Sequence, residues 1–291
     1  MRRRPLHPRR PDLGHDGRRG LWTTETTDDS NDEEQARACR HAETLPGRAG
    51  GEKGRRGGGD VAIRALMSRE LDDVLLSLAM TMLTSKPVGL LVRHAERGPI
   101  ADLARHHEVL LTDDGIAAAR SSGVRLAARL RDAGINDDVV IVHSPVERCG
   151  QTARGIADGL RDAGITVDVI GVAEPLGANY LKDPARVAAE ATKSGHRFVR
   201  DWFDGVLGKD VISSCQEVAD ALVGVYAALL AKHRFVVGVS HDWNIAAVRE
   251  HTLGLRYEDV GWPPFLDGVV LTLNDDGSGR VHCVHSLPRA A

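Results

Sequence analysis

Aromatic residues are scarce in this chain. Phenylalanine, tyrosine and tryptophan make up 4% of its 291 residues, and none lies between Trp22 and Tyr180, so alanine, leucine and valine must fill the first half of any core. Cysteine is also sparse. Cys39, Cys149, Cys215 and Cys283 show neither metal-ligand spacing nor a dense framework, which points to reduced thiols in a cytoplasmic protein. There is no run of about 18 apolar residues, so no transmembrane helix is expected. The basic start Arg2-Arg3-Arg4 leads into no apolar segment, which argues against a signal peptide. Neither sign of charge dominates. A formal net charge of −3 gives no global pull toward nucleic acid or a membrane surface.

What is present divides at about Met67. Residues 1–66 are rich in arginine, glycine, aspartate and glutamate, with no periodic apolar pattern. They are expected to be disordered, or to be an extension that is not native, with Met67 as the true start. Residues 67–291 read as one domain with a small cap insert near 174–213.

A helix is expected over 68–84, capped by Ser68, with Leu71, Val74, Leu75, Leu78 and Met82 on its core face. The chain then alternates. Apolar runs at 88–92, 138–142, 166–172, 235–239, 268–273 and more weakly 280–284 read as strands. Helical patterns fall near 113–133, 145–163, 184–194, 197–207, 214–233 and 243–254. Thr112 caps the first of these, and Ser144 with Glu147 forms a capping box with Pro145 at the first helical position. Such alternation predicts an α/β three-layer sandwich with a mainly parallel central sheet flanked by helices. Asn274-Asp275-Asp276-Gly277 predicts a final hairpin and an antiparallel edge.

Chemistry gathers where three of the strands end. Arg93-His94-Ala95-Glu96-Arg97-Gly98-Pro99 follows the first run, Ser144-Pro145-Val146-Glu147-Arg148 the second, and Ser240-His241-Asp242 the fourth. Guanidinium forks, a nucleophilic imidazole and a carboxyl acid together suit a dianionic phosphoryl group. In an open α/β sheet, ligands bind beyond the carboxyl ends of the strands, which is where these residues stand. His106-His107-Glu108 lacks the spacing to put two ligands on one helix face and reads as a solvent loop; no metal or other cofactor is expected.

In these motifs the chain resembles the histidine phosphatase superfamily, which includes phosphoglycerate mutases, acid phosphatases and phytases. The Arg93-His94-x-x-Arg97-x-Pro99 and His241-Asp242 pairs resemble the acid phosphatase branch, with Ala95 where that branch has glycine. The resemblance runs from about Val88 to the C-terminus and implies a phosphoglycerate mutase-like fold. It also implies roles. His94 would be the nucleophile that forms phosphohistidine; Arg93, Arg97, Arg148 and His241 would hold the phosphoryl oxygens; and Asp242 would be the acid. Glu174 is the rival acid, because the mutase-like branch draws its acid from that region. The implied partner is a small phosphorylated substrate, with no nucleic acid or membrane involved and the oligomeric state left open. The competing readings are a mutase, a phosphohistidine protein phosphatase and a catalytically silent phosphoryl-ligand binder. The insert carrying Tyr180, Lys182, Lys193, His196 and Arg197 is expected to cap the pocket; its basic residues read equally as a site for a second anionic group on the substrate or as solvated surface. The later aromatics read first as ordinary core packing; the rival reading, an apolar wall over the site, best fits Trp243.

Overall fold

The computed structural model describes residues 70–99 and 106–283. The N-terminal extension, Ser68 and Cys39 lie outside that range, as does the stretch from Ile100 to Arg105 within the expected rim at 98–111.

Six strands form one sheet: β1 (Val88–Arg93), β2 (Val139–His143), β3 (Val167–Val172), β4 (Phe235–Ser240), β5 (Gly268–Leu273) and β6 (Gly279–His282). Their order is β3-β2-β4-β1-β5-β6. The β1/β4, β2/β4 and β2/β3 pairs are parallel, and β1/β5 and β5/β6 are antiparallel. The final hairpin turns through Gly277 at φ 82°, as its sequence requires. β1 and β4 are buried along their whole length, as continuous apolar runs should be when helices cover both faces.

On one face lie α1 (Asp73–Leu83), α2 (Asp113–Asp132) and α3 (Glu147–Asp162), packed on Leu90, Val92, Ile141 and Val237. On the other lie α4 (Pro184–Ser194), α5 (Phe198–Phe203), α6 (Cys215–Leu230) and α7 (Asp242–Leu253), packed on Leu91, Val140, Val236 and Val269. A short α8 (Tyr257–Val260), with no forerunner in the sequence pattern, leads into β5. The aromatics sit mainly on this second face. Tyr180, Phe198, Trp202 and Trp243 are buried there, and the expected Phe198–Trp202 face packs on Trp243.

Two local expectations need correcting. The first helix starts at Asp73, with the Asp72 side chain accepting from the Val74 N–H. This turns Val74 out to 50% exposure and buries Leu76, Ala79 and Leu83 beside Leu71 and Leu75. The third helix starts at Glu147, and its N-cap, Val146, makes no side-chain cap. Ser144 lies too far back to close a capping box, and its hydroxyl goes elsewhere.

Candidate active site

The parallel register carries the sequence motifs to one place. β4 is flanked by β1 and β2, with Arg93 opposite Ser240 and His143 opposite Val239. The His94 N–H then bonds the Ser240 carbonyl at 2.9 Å, and the Ser144 N–H bonds the Val239 carbonyl at 2.9 Å. Three chain exits therefore lie side by side at the carboxyl edge of the sheet.

His94 is 2% exposed at the centre. Its Nδ1 lies 2.8 Å from the Ala95 carbonyl, which can only accept, so Nδ1 carries the proton. Nε2 keeps its lone pair and accepts from Arg148 Nε at 3.1 Å. Burial, with the charges of Arg148, Arg93 and His241, holds the imidazole well below its ordinary pKa. At neutral pH it is an uncharged base with Nε2 directed at a guanidinium, the form a nucleophilic histidine needs.

Arg148 stands in the first turn of α3 and is 7% exposed, with Nη2 3.4 Å from His241 Nδ1. A guanidinium only donates, so where Nδ1 accepts from it the ring proton lies on Nε2. That proton meets the Ser144 hydroxyl at 2.9 Å. The rings of His94 and His241 sit edge to face with centroids 5.5 Å apart.

Asp242 completes the group. Its Oδ1 accepts from the Trp243 N–H at 2.9 Å. Its Oδ2 accepts from Arg93 Nη2 at 2.9 Å and from Trp262 Nε1 at 3.1 Å. Burial pushes this carboxyl up, but Arg93, the Trp262 indole N–H, His241 and the Trp243 N–H outweigh it and hold the group below its usual pKa. Asp242 is therefore a carboxylate at neutral pH. Arg93 is fixed on its other side by the Pro263 carbonyl at 2.8 Å and by the Phe265 ring, 4.2 Å from the guanidinium carbon.

The structure thus brings together Arg93, His94, Arg148, His241 and Asp242. Arg97, four residues beyond Arg93, is half-buried at a bridge to Leu111, with Nη1 on the Gly98 carbonyl at 3.0 Å. Glu174 is exposed on the 3-10 turn Glu174–Leu176. That turn is tied to the site's floor, because the Leu176 carbonyl accepts from Ser240 Oγ at 2.7 Å and from Asn244 Nδ2 at 3.0 Å. Cys149 is buried with its thiol pushed up to about 12 by burial, so it is the inert core thiol its sequence context implies. His107 and Glu108 are each about half exposed, and among the described residues no group of three or more His, Cys, Asp or Glu could hold a metal ion.

A family model described as the histidine phosphatase superfamily (branch 1) matches residues 90–280. The chain belongs to the histidine phosphatase superfamily. The match carries the superfamily and is to its branch 1; the acid phosphatase branch inferred from His241-Asp242 draws no support from it. No curated protein matches the chain. Solved structures with a similar chain path include a mycobacterial glucosyl-3-phosphoglycerate phosphatase, at 19% identity and TM-score 0.45, covering 67% of this chain and 96% of that one. Another is a phosphohistidine phosphatase SixA from Agrobacterium tumefaciens, at 17% identity and TM-score 0.39, covering 67% and 95%. A third is a phosphoserine phosphatase variant from Entamoeba histolytica, at 16% identity and TM-score 0.41, covering 67% and 94%.

In this member of the superfamily several residues around the site play parts that their local sequence does not announce. Ser144 was assigned to a helix cap and instead holds His241. Trp262 and Phe265 arrive on the loop before β5 and touch Asp242 and Arg93. Trp243, the aromatic candidate for a wall, is 4% exposed and belongs to the core. The insert's cations are largely matched by its own acids, Lys193 with Glu190 and Arg197 with Asp201, which weakens the case for a second anion subsite there. Among the described residues, no helix is long and apolar enough to cross a membrane.

Proposed function

We propose that the protein is a cytoplasmic phosphomonoesterase that acts on a small phosphorylated metabolite through phospho-His94. One observation carries this reading: a buried, uncharged imidazole offers Nε2 at a point where Arg93, Arg148 and His241 converge. In the free protein Arg148 Nε occupies that lone pair. An incoming phosphoryl group draws the guanidinium onto its own oxygens and releases Nε2 for attack. An N–P bond forms as the ester P–O bond breaks, and the leaving oxygen takes a proton. Water then attacks phosphorus, the N–P bond breaks, and inorganic phosphate departs.

The proton is assigned to Asp242. Asp242 starts ionised, so the proton enters with the substrate. A phosphomonoester has a second pKa of about 6 and is partly monoanionic near neutrality. As Arg93 moves from the carboxylate to the phosphoryl oxygens, Asp242 becomes basic enough to take that proton and pass it to the leaving oxygen. In the second step it takes a proton from the attacking water and gives it up to the departing phosphate, which restores the carboxylate. The ionised state of Asp242 also supports a second assignment, with Asp242 anchoring Arg93 and Glu174 as the acid.

Rapid acid-free quenching of the protein with labelled substrate should trap base-stable, acid-labile phosphate on the wild type and none on His94→Ala. Equal labelling of the two would overturn the assignment.

A further inference from the structure

Asp242 could hold Arg93 without help, yet the structure gives its Oδ2 a second donor from a distant part of the chain. Trp262 Nε1 lies 3.1 Å away on the loop between α8 and β5, and the indole is half-buried. The Tyr257 ring packs edge-on against it at 5.3 Å and 82°. Tyr257 in turn lies under the Arg200 guanidinium, 5.3 Å from its ring centroid, with the Phe203 ring 6.0 Å away and 5.7 Å from the same guanidinium carbon. Arg200 belongs to α5 in the insert. It grips Glu250 of α7 through Nη2 at 2.8 Å and Glu258 of α8 through Nε at 2.8 Å. An unbroken series of contacts thus runs from the insert to the carboxylate.

We propose that Trp262 is a positioning residue of this site, seating the Asp242 carboxylate against Arg93 and coupling it through Tyr257 and Arg200 to the insert. The proposal rests on the His94-centred reading of the site. The indole N–H selects the ionised carboxylate and fixes its rotation, because Oδ1 is already held by the Trp243 N–H and Oδ2 must then meet both Arg93 and Trp262. Among the described residues, the other titratable groups that interact with Asp242 are His241 at the same strand end and Cys149 on α3. Neither replaces the indole as a second donor to Oδ2.

The test is a direct titration of the Asp242 carboxyl by carbon-13 NMR in the full chain, with the resonance assigned by its loss in Asp242→Asn. Trp262→Phe keeps the ring and removes the donor. It should raise the Asp242 midpoint by about one pH unit, as expected for loss of a hydrogen bond to a charged acceptor. Arg200→Met, which frees Tyr257, should move it the same way by less. In turnover, Trp262→Phe should lower kcat several-fold on an alkyl phosphate with little change in KM, and should affect an aryl phosphate less. An unchanged Asp242 midpoint in Trp262→Phe would overturn the positioning role. An unchanged midpoint in Arg200→Met would overturn the coupling to the insert. A normal NMR shift combined with full alkyl phosphatase activity in Asp242→Asn would leave the positioning intact and remove Asp242 from the chemistry, so the two readings fail separately.

Discussion

The Arg93–Asp242 pair lets the electrostatics of the site be read from stability alone. Both side chains are buried, at 8% and 11% exposure, and stand 2.9 Å apart. Asp242→Asn keeps the shape and removes the charge. Deleting one member of a buried ion pair costs on the order of 3–5 kcal/mol, because the other charge is left uncompensated. Here the amide oxygen can still accept one hydrogen bond, so a loss of roughly 2–3 kcal/mol is expected. At about 2–4 °C per kcal/mol for a domain of this size, the melting temperature should fall by about 5–10 °C. Inorganic phosphate should repair the defect. In the wild type a bound dianion shares Arg93 with a carboxylate of like charge. In the variant it supplies the missing negative charge, so it should bind more tightly, each tenfold being about 1.4 kcal/mol. Thermal melts over a phosphate series at constant ionic strength should show the two proteins converging as phosphate saturates. Equal shifts in both proteins would refute the reasoning, since Arg93 would then not face the phosphoryl group. Equal stability without phosphate would show that the pair is not a buried one.

The parts of this molecule legible in the sequence were those written in local pattern. Apolar runs bounded by charge mark β1, β2 and β4, and in a parallel sheet the residues just past such runs must meet at one edge. That logic assembles Arg93, His94, Arg148, His241 and Asp242 without any knowledge of strand order. Part of what failed depended on partners far along the chain. Ser144 has the local signature of a cap, but its hydroxyl is taken by His241, 97 positions away, and α3 begins two residues later than the box requires. The face of α1 was misjudged because Asp72, not Ser68, caps it, and a shifted start rotates which leucines point inward. The insert's ion pairs are the opposite case: Lys193–Glu190 and Arg197–Asp201 stand one helical turn apart within helices that the pattern marks, so spacing alone discounts those cations. Trp262 carries no local mark at all. Its role follows only from the loop it rides on folding back over β1, with the Leu266 N–H bonded to the Arg93 carbonyl at 3.2 Å.

Asp242→Asn should slow phosphate esters of basic alcohols far more than activated aryl phosphates, while Glu174→Gln should be mild on both; steady-state kinetics on the two ester classes with the pattern reversed would make Glu174 the acid. A protein starting at Met67 should keep full activity and the same melting temperature, since residues 1–66 offer little apolar surface against about 1–2 kcal/mol of ordering per residue. The depressed His94 pKa gives a signed pH dependence: the unfolded chain binds a proton below about pH 6.5 where the folded one does not, so stability should fall by up to about 1.4 kcal/mol per pH unit below that point. His94→Asn should flatten this slope, and urea melts across that range would show it. Tyr226 is fully buried, and its hydroxyl donates to the Leu90 carbonyl at 2.5 Å. It fits only because β1 and β4 each place a glycine beneath it. A methyl group on Gly238 would lie 2.2 Å from the Tyr226 hydroxyl oxygen, and one on Gly89 would lie 2.4 Å from ring carbon Cδ1. Either alanine should cost roughly 3 kcal/mol, at the upper end of overpacking in a close-packed core. Tyr226→Phe alone should cost about 1 kcal/mol for the lost hydrogen bond. The two alanines should then separate. Tyr226→Phe removes the atom that Gly238→Ala strikes and should recover part of its loss, but it leaves the carbons that Gly89→Ala strikes and should recover nothing there. Equal recovery for both alanines, measured by denaturant titration of the double variants, would show that Tyr226 leaves its slot as a whole and that the contact at the hydroxyl is not what excludes a side chain at Gly238.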